Sequence, residues 1–349
     1  MCAESIGKGG WILQMEYHIL GKTGLKVSAM GFGGIPIQKT DKAGAVELFD
    51  RLLEKGINFV DTAKAYTVSE ERIGDAIRGR RDKFILASKS MARTYEALRA
   101  DIEDSLAKLK TDYLDLYQIH NIPVEQLDDF CKPGNGLDAL LEAKREGKIR
   151  HIGLTAHSLE TFRRALELDF VETIMFPYNI VERQGEELIA ECEKKNIGFI
   201  CMKPLAGGAI EDARLALRFI CQNPAVSVVI PGMATPDEVD ANCDAVSDVS
   251  PLSPEERERI GKIRDSLGTV FCRRCNYCAP CTVGISIPSV FLFSGYLERY
   301  DLEKWARERY ATLSVKASAC IGCGVCETRC PYQLPIRQMM KKSAMEFGE

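Results

Sequence analysis

Eight short apolar runs recur along the chain with amphipathic stretches between them, and this alternation constrains the fold more than any other feature. The runs are 28–34, 58–63, 84–89, 114–120, 151–156, 173–179, 198–204 and 226–232. Most are rich in Ile, Val, Phe and Leu, as strands buried on both faces require. The segments between them carry helical stripes. Residues 41–55 place Ala45, Leu48, Leu52 and Leu53 on one face, and 94–109 places Leu98, Ile102, Leu106 and Leu109 on another. Asp41 and Ser158 stand where helix N-caps are expected. Eight strand–helix repeats predict a parallel (β/α)8 TIM barrel with right-handed crossovers. From Met15 to Val249 the chain runs about 235 residues, close to the roughly 250 of that fold. An open doubly wound sheet is the alternative, but no G-x-G-x-x-G follows the first strand.

The domain division follows. Residues 1–14 form an N-terminal extension, 15–252 the barrel, and 253–349 a second domain opened by a connector helix over 253–271. Eight of the 14 cysteines fall after residue 270, in two runs. A disulfide framework does not suit a large chain with no export signal. The first run is Cys272, Cys275, Cys278 and Cys281; the second is Cys320, Cys323, Cys326 and Cys330, followed by Pro331. The spacer between them contains SVFLFSGYLERY and LEKWARERYATL, which read as two short helices.

The formal net charge of −4 excludes a strongly basic nucleic-acid binder. No apolar run approaches the roughly 18 residues of a membrane span. No signal-peptide pattern opens the chain, so a cytoplasmic location is expected.

In such a barrel, chemistry sits at the C-terminal strand ends and the loops after them. The second strand ends near Asp61, with Tyr66 in its loop. The third ends at Lys89 and the fourth at His120. These side chains form a coherent set. A phenol with a pKa of about 10 is a poor acid at neutral pH. A nearby ammonium lowers that value, and a carboxylate holds the ammonium. An imidazole orients a carbonyl. Together they protonate a carbonyl oxygen while hydride reaches its carbon.

With these residues in view, the chain from Met15 to about Val249 resembles the aldo-keto reductases. MEYHILGKTGLKVSAMGFGG is similar to their opening hairpin and first strand, FVDTAKAYTVSEERIGDAI to their catalytic segment, and ILASKS and DLYQIH to the segments with the lysine and histidine. The resemblance implies Tyr66 as general acid/base, Lys89 and Asp61 as its tuners, and His120 as substrate orienter. It implies nicotinamide contacts at Gly33, Thr155, Asn179, Met202, Lys203, Pro204, Leu205, Gly232, Glu238 and Asn242. Two departures stand out. Thr67 follows Tyr66 where the family has Gly, and Met202 takes the place of an aromatic ring. Gly232 and Glu238 stand where NADPH-specific members carry Lys and Arg. A carboxylate repels a 2′-phosphate and accepts from a ribose hydroxyl, which favours NAD(H) over NADP(H).

The second cysteine run resembles that of bacterial ferredoxins, whose fourth Cys ligates the other cluster. The pattern implies two 4Fe-4S clusters. One takes Cys272, Cys275, Cys278 and Cys330; the other takes Cys320, Cys323, Cys326 and Cys281. The alternative is a pair of four-cysteine zinc sites, although zinc ribbons show separated C-x2-C pairs. The whole resembles a branch of the aldo-keto reductases with ferredoxin-like, mainly helical tails.

Three functions are compatible with these readings. The first is a carbonyl/alcohol oxidoreductase with auxiliary clusters, acting on a small organic molecule. The second is a flavin-containing electron-transfer reductase that uses ferredoxin or another carrier as partner, because a hydride donor and a one-electron cluster need a converter. The third is a redox-sensing binding module. Anaerobically purified protein is expected to hold about eight irons and eight acid-labile sulfides per chain by colorimetric assay, whereas about two zinc ions would replace the cluster assignment.

Overall fold

The computed structural model describes residues 15–349, and the expected extension over 1–14 lies outside them. The chain opens with an antiparallel hairpin, β1 (Tyr17–Ile19) and β2 (Lys26–Ser28). Eight parallel strands follow: β3 (Phe32–Gly33), β4 (Phe59–Asp61), β5 (Ile85–Ser90), β6 (Leu114–Ile119), β7 (Ile149–Thr155), β8 (Thr173–Pro177), β9 (Gly198–Met202) and β10 (Val228–Ile230). They pair in sequence order from β3 to β10. Backbone bridges Met30↔Val229 and Gly33↔Gly232 close the sheet into a barrel.

Helices fill the crossovers: α1 (Lys42–Glu54), α2 (Ser69–Ala76), α3 (Tyr95–Leu109), α4 (Val124–Phe130), α5 (Gly136–Arg145), α6 (Leu159–Ala165), α7 (Glu186–Lys194), α8 (Ala213–Cys221) and α9 (Pro236–Val246). The expected caps form. Asp41 accepts from the Gly44 amide and Ser158 from the Thr161 amide, each supplying a partner to an orphan first-turn donor.

Strand pleat decides what faces the barrel interior. Phe59, Ala87 and Leu116 pack together inside with Met175, Ile200 and Val228, above a floor of Leu20 and Val27 from the hairpin. Two residues further along each strand, the same inward direction carries Asp61, Lys89 and Gln118. The alternate residues, such as Val60, Leu86 and Tyr117, face the helices.

The tail begins with α10 (Pro254–Gly268), capped by a reciprocal Ser253–Glu256 box. It continues through α11 (Ile287–Glu298), α12 (Glu303–Ala311), α13 (Val325–Arg329) and α14 (Ile336–Phe347). The first two after α10 are the pair expected in the spacer. Its core stacks Tyr296 on Trp305 at 4.4 Å and Tyr310 on Phe347 at 3.8 Å. Tyr66 and Ile35 of the barrel pack against this core, so the tail covers the C-terminal mouth. Among the described residues, no helix is long and apolar enough to cross a membrane.

The first barrel strand is shorter than the apolar run 28–34 suggests. Gly33 explains this. Its amide donates to the Pro231 carbonyl at 2.9 Å, and a Cβ there would meet that oxygen at 2.8 Å. Closure therefore uses bare backbone in place of a long ladder. Gly33→Ala is expected to destabilise the protein by about 1–3 kcal/mol through overpacking, read as a lower thermal unfolding midpoint.

Candidate active site

The inward layer at the strand ends builds the site. Lys89 and Asp61 are 2% and 3% exposed, and the lysine Nζ donates to Asp61 Oδ2 at 2.6 Å and to the Thr62 carbonyl at 2.8 Å. Gln118 Nε2 donates to the other Asp61 oxygen at 3.1 Å. Burial acts against both charges, raising the Asp61 carboxyl and lowering the Lys89 ammonium, while the contact between them opposes it. Tyr66 hangs over this pair, with the Lys89 nitrogen 5.0 Å from its ring centroid. The His120 ring meets the Tyr66 ring edge-on, with centroids 6.1 Å apart. The His120 amide continues the strand ladder by donating to the Ser90 carbonyl at 2.9 Å. All four predicted residues therefore converge.

One electrostatic expectation is corrected. Lys89 does not lower the Tyr66 phenol. Burial, then Asp61, then Tyr296 and Tyr300 of the tail hold it well above its ordinary value. The lysine charge is cancelled by Asp61 at contact distance before it reaches the ring. At neutral pH the phenol is thus a proton donor and not a phenolate.

A single cavity of about 770 Å³ opens above these groups. Of the expected cofactor contacts, Gly33, Thr155, Met202, Lys203, Pro204, Leu205, Gly232 and Glu238 line it. Asn179 does not. Its amide nitrogen donates to Glu182 and to the Lys203 carbonyl, and its oxygen accepts from the amides of Val181 and Glu182. Asn242, on α9, is also away from the lining. Glu238 reaches the lining, but its carboxylate accepts from the Ala234 amide at 2.6 Å and the Thr235 amide at 3.3 Å, and caps α9. Both amides reach the same oxygen, Oε2, so the capping role occupies one side of the carboxylate. Lys203, half-buried and without a carboxylate in contact, is pushed well below its usual value by desolvation and by Arg274.

The backbone around the cavity is strained. Asn121, Lys203, Arg274 and Asn276 all line it with positive φ, and Thr67, next to Tyr66 but off the lining, has φ +42°. Thr67 thus holds a left-handed backbone at the position where the resemblance implies glycine, and its hydroxyl bonds to Gln38.

The tail supplies the wall that sequence reading missed. Arg274, Tyr296, Arg299, Tyr300 and Arg309 line the cavity beside Cys275, Asn276 and Tyr277. The two arginines within Cys272–Cys275 were the available signal. Arg274 bonds to Glu182, which is fully buried, at 3.1 Å. Arg273 donates to the Gly268 carbonyl and stacks over Tyr332 at 3.8 Å.

The cysteines fall into two groups. Cys281, Cys320, Cys323 and Cys326 line one small hollow with Ile285, Ile287, Ile336 and Met340. Cys272 lies in electrostatic reach of Cys275 and Cys330, and Cys278 of Cys272, Cys275 and, across the two groups, Cys326. The grouping fits a swapped pair of cubes. Among the described residues, no set of three His, Cys, Asp or Glu side chains closes around a point that could hold a single metal ion.

A closed parallel barrel with its polar residues at the C-terminal mouth, carrying two four-cysteine runs in a helical tail, has the architecture of an oxidoreductase joined to an iron–sulfur domain. The chain belongs to the aldo/keto reductase family, whose model matches residues 29–214, and a 4Fe-4S dicluster domain matches residues 271–335. It is 30% identical over 215 residues to the oxidoreductase YqkF of Bacillus subtilis, covering 58% of this chain and 68% of that protein. An aldo-keto reductase from Bacillus halodurans in its holo form superposes with a TM-score of 0.63 at 28% identity, covering 72% of this chain and 96% of the other. One from Klebsiella pneumoniae in complex with NADPH superposes at 0.61 and 25% identity, covering 72% and 95%.

The imidazoles make stability depend on pH. Burial first, then Lys89 and Arg93, holds His120 well below the ordinary value; burial, then Lys203 and Arg274, does the same for His157. The Nδ1 of each is buried without a partner. Below about pH 6.5 the unfolded chain takes up protons that the folded rings refuse, so stability falls as pH falls. Between pH 6.5 and 5.5 each ring is expected to cost about 1 kcal/mol, and His157→Gln to reduce the drop in unfolding midpoint accordingly.

Proposed function

We propose that this protein interconverts a carbonyl and an alcohol on a small organic substrate, with Tyr66 as the general acid/base. The observation that carries this reading is the convergence of Tyr66, Lys89, Asp61 and His120 on one cavity that most of the candidate cofactor residues also line. A bound nicotinamide supplies or accepts hydride. Tyr66 donates its phenolic proton to the carbonyl oxygen in reduction and takes it back in oxidation. His120 is neutral and donates a hydrogen bond that orients the carbonyl. Lys89 and Asp61 hold the floor of the site as a matched pair, and the tail keeps water from the phenol. Gly33, Thr155, Met202–Leu205 and Gly232 would hold the nicotinamide nucleotide. NAD(H) is favoured over NADP(H), because the segment from Gly232 to Glu238 has no cationic side chain to receive a 2′-phosphate. The eight tail cysteines hold two 4Fe-4S clusters, swapped between the runs as described.

A second reading rests on one observation: the Cys275 loop forms part of the cavity wall. A cluster held there would border whatever the cavity binds. This favours electron exchange between an external carrier such as ferredoxin and a flavin in the same cavity.

Tyr66→Phe is expected to lower kcat for carbonyl reduction by about 10²–10⁴-fold while NADH binding, followed by fluorescence, persists. Undiminished turnover in that variant would remove Tyr66 from the mechanism. Released flavin, with bleaching of cluster absorption by NADH, would move the assignment to the electron-transfer reading.

A further inference from the structure

Of the cations around the cavity, Lys203 of the barrel and Arg309 of the tail make no side-chain hydrogen bond and no ion pair among the described residues. Lys89 is matched by Asp61. Arg93 donates to the His120 and Ala92 carbonyls. Arg299 donates to the Gly207 carbonyl and to Glu298. Arg274 bonds to Glu182 through one terminal nitrogen, although its Nε is buried without a partner. Arg309, on α12, makes no side-chain hydrogen bond and no ion pair among the described residues, and its Nε is also buried and unpartnered. Its guanidinium rests beside the Phe293 ring, 5.7 Å from the centroid.

Arg309 lines the cavity and bears electrostatically on His120 and, with Arg274, on Tyr296. It therefore faces the reacting end. Arg274 and Arg299 are the guanidinium groups that bear on Lys203, toward the expected nucleotide contacts. The acids on the lining do not compensate Arg309. Asp61 and Glu238 are engaged, and Glu125 and Glu160 stand exposed in the first turns of α4 and α6. A guanidinium stays charged at any physiological pH and presents a planar fork that fits a carboxylate or phosphate. Donors buried without acceptors are costly and rare.

We propose that Arg309, with Arg274 behind it, is an anion-receiving subsite contributed by the iron–sulfur tail, and that the substrate is a carbonyl or hydroxy compound that also bears a carboxylate. This rests on the carbonyl oxidoreductase reading. The carboxylate engages Arg309 while the carbonyl oxygen points to Tyr66 and His120. The tail then selects the substrate in addition to carrying clusters. A phosphate of the dinucleotide has the same chemistry and is the competing occupant.

Isothermal titration calorimetry of the iron-loaded protein separates them, using benzoate, its neutral counterpart benzamide, and NAD+. Benzoate is expected to bind at least about tenfold more tightly than benzamide, and Arg309→Gln to remove that difference while NAD+ affinity stays within about twofold. Equal or absent binding of benzoate overturns the proposal. So does a variant that weakens NAD+ as much as benzoate, because the anion is then the cofactor phosphate. If Arg309→Gln fails to retain iron, Arg309→Lys keeps the charge without the fork. It is expected to weaken benzoate about three- to tenfold, and unchanged affinity overturns the proposal. Turnover tells the two readings apart. Phenylglyoxylate is expected to be reduced at least about tenfold better than its methyl ester in kcat/KM. If no carbonyl compound is reduced and benzoate binding still depends on Arg309, the reductase reading fails and the anion subsite stands.

Discussion

The tail is fastened over the barrel by two adjacent arginines inside its first cysteine run, and the rest of the site depends on that contact. Arg274 reaches a fully buried Glu182 after β8, and Arg273 is held by backbone carbonyls and the Tyr332 ring. Glu182 is itself held by Asn179. Removing either partner would leave a buried charge alone, which proteins tolerate poorly. The pair therefore specifies where the cysteine loop lies. Because it lies at the barrel mouth, the active-site cavity has one wall from each module.

That shared wall changes the electrostatics of the tetrad. In an open barrel mouth, Tyr66 would be solvated on one side. Here the Tyr296 and Tyr300 phenols of the tail approach it, and burial favours its neutral form. His120 and His157 are kept neutral by the same burial and by surrounding cations. The site thus holds its protons on the phenol and off the imidazoles, an arrangement suited to proton donation toward a carbonyl oxygen.

Much of this was readable from residue order. The eight strands fall within or beside the eight apolar runs because strands buried on both faces must be continuously apolar. Asp61, Lys89 and His120 were placed correctly because strand ends in a barrel are also its mouth. The two spacer helices were found from their apolar content, whereas α13, one turn holding Cys326, and α14 at the end of the chain were not. Asn179 was misread because an Asn in a loop gives no sign of whether its amide faces a ligand or holds its own turn. Glu238 carries a second role that was not read: a carboxylate three residues after Thr235 also completes a capping box, and the local bond is always within reach.

The sequence by itself determined the barrel, its strand order, the tetrad and the two cysteine runs, because each follows from periodicity or fixed spacing along one chain. The tertiary structure alone decided that the two modules share a cavity, that the Tyr66 phenol is raised and not lowered, and that Arg309 faces His120 without a counter-charge. Those properties depend on distances between residues some 190 to 240 positions apart in the chain, roughly, and on the low polarizability of what packs between them. No local pattern encodes either quantity.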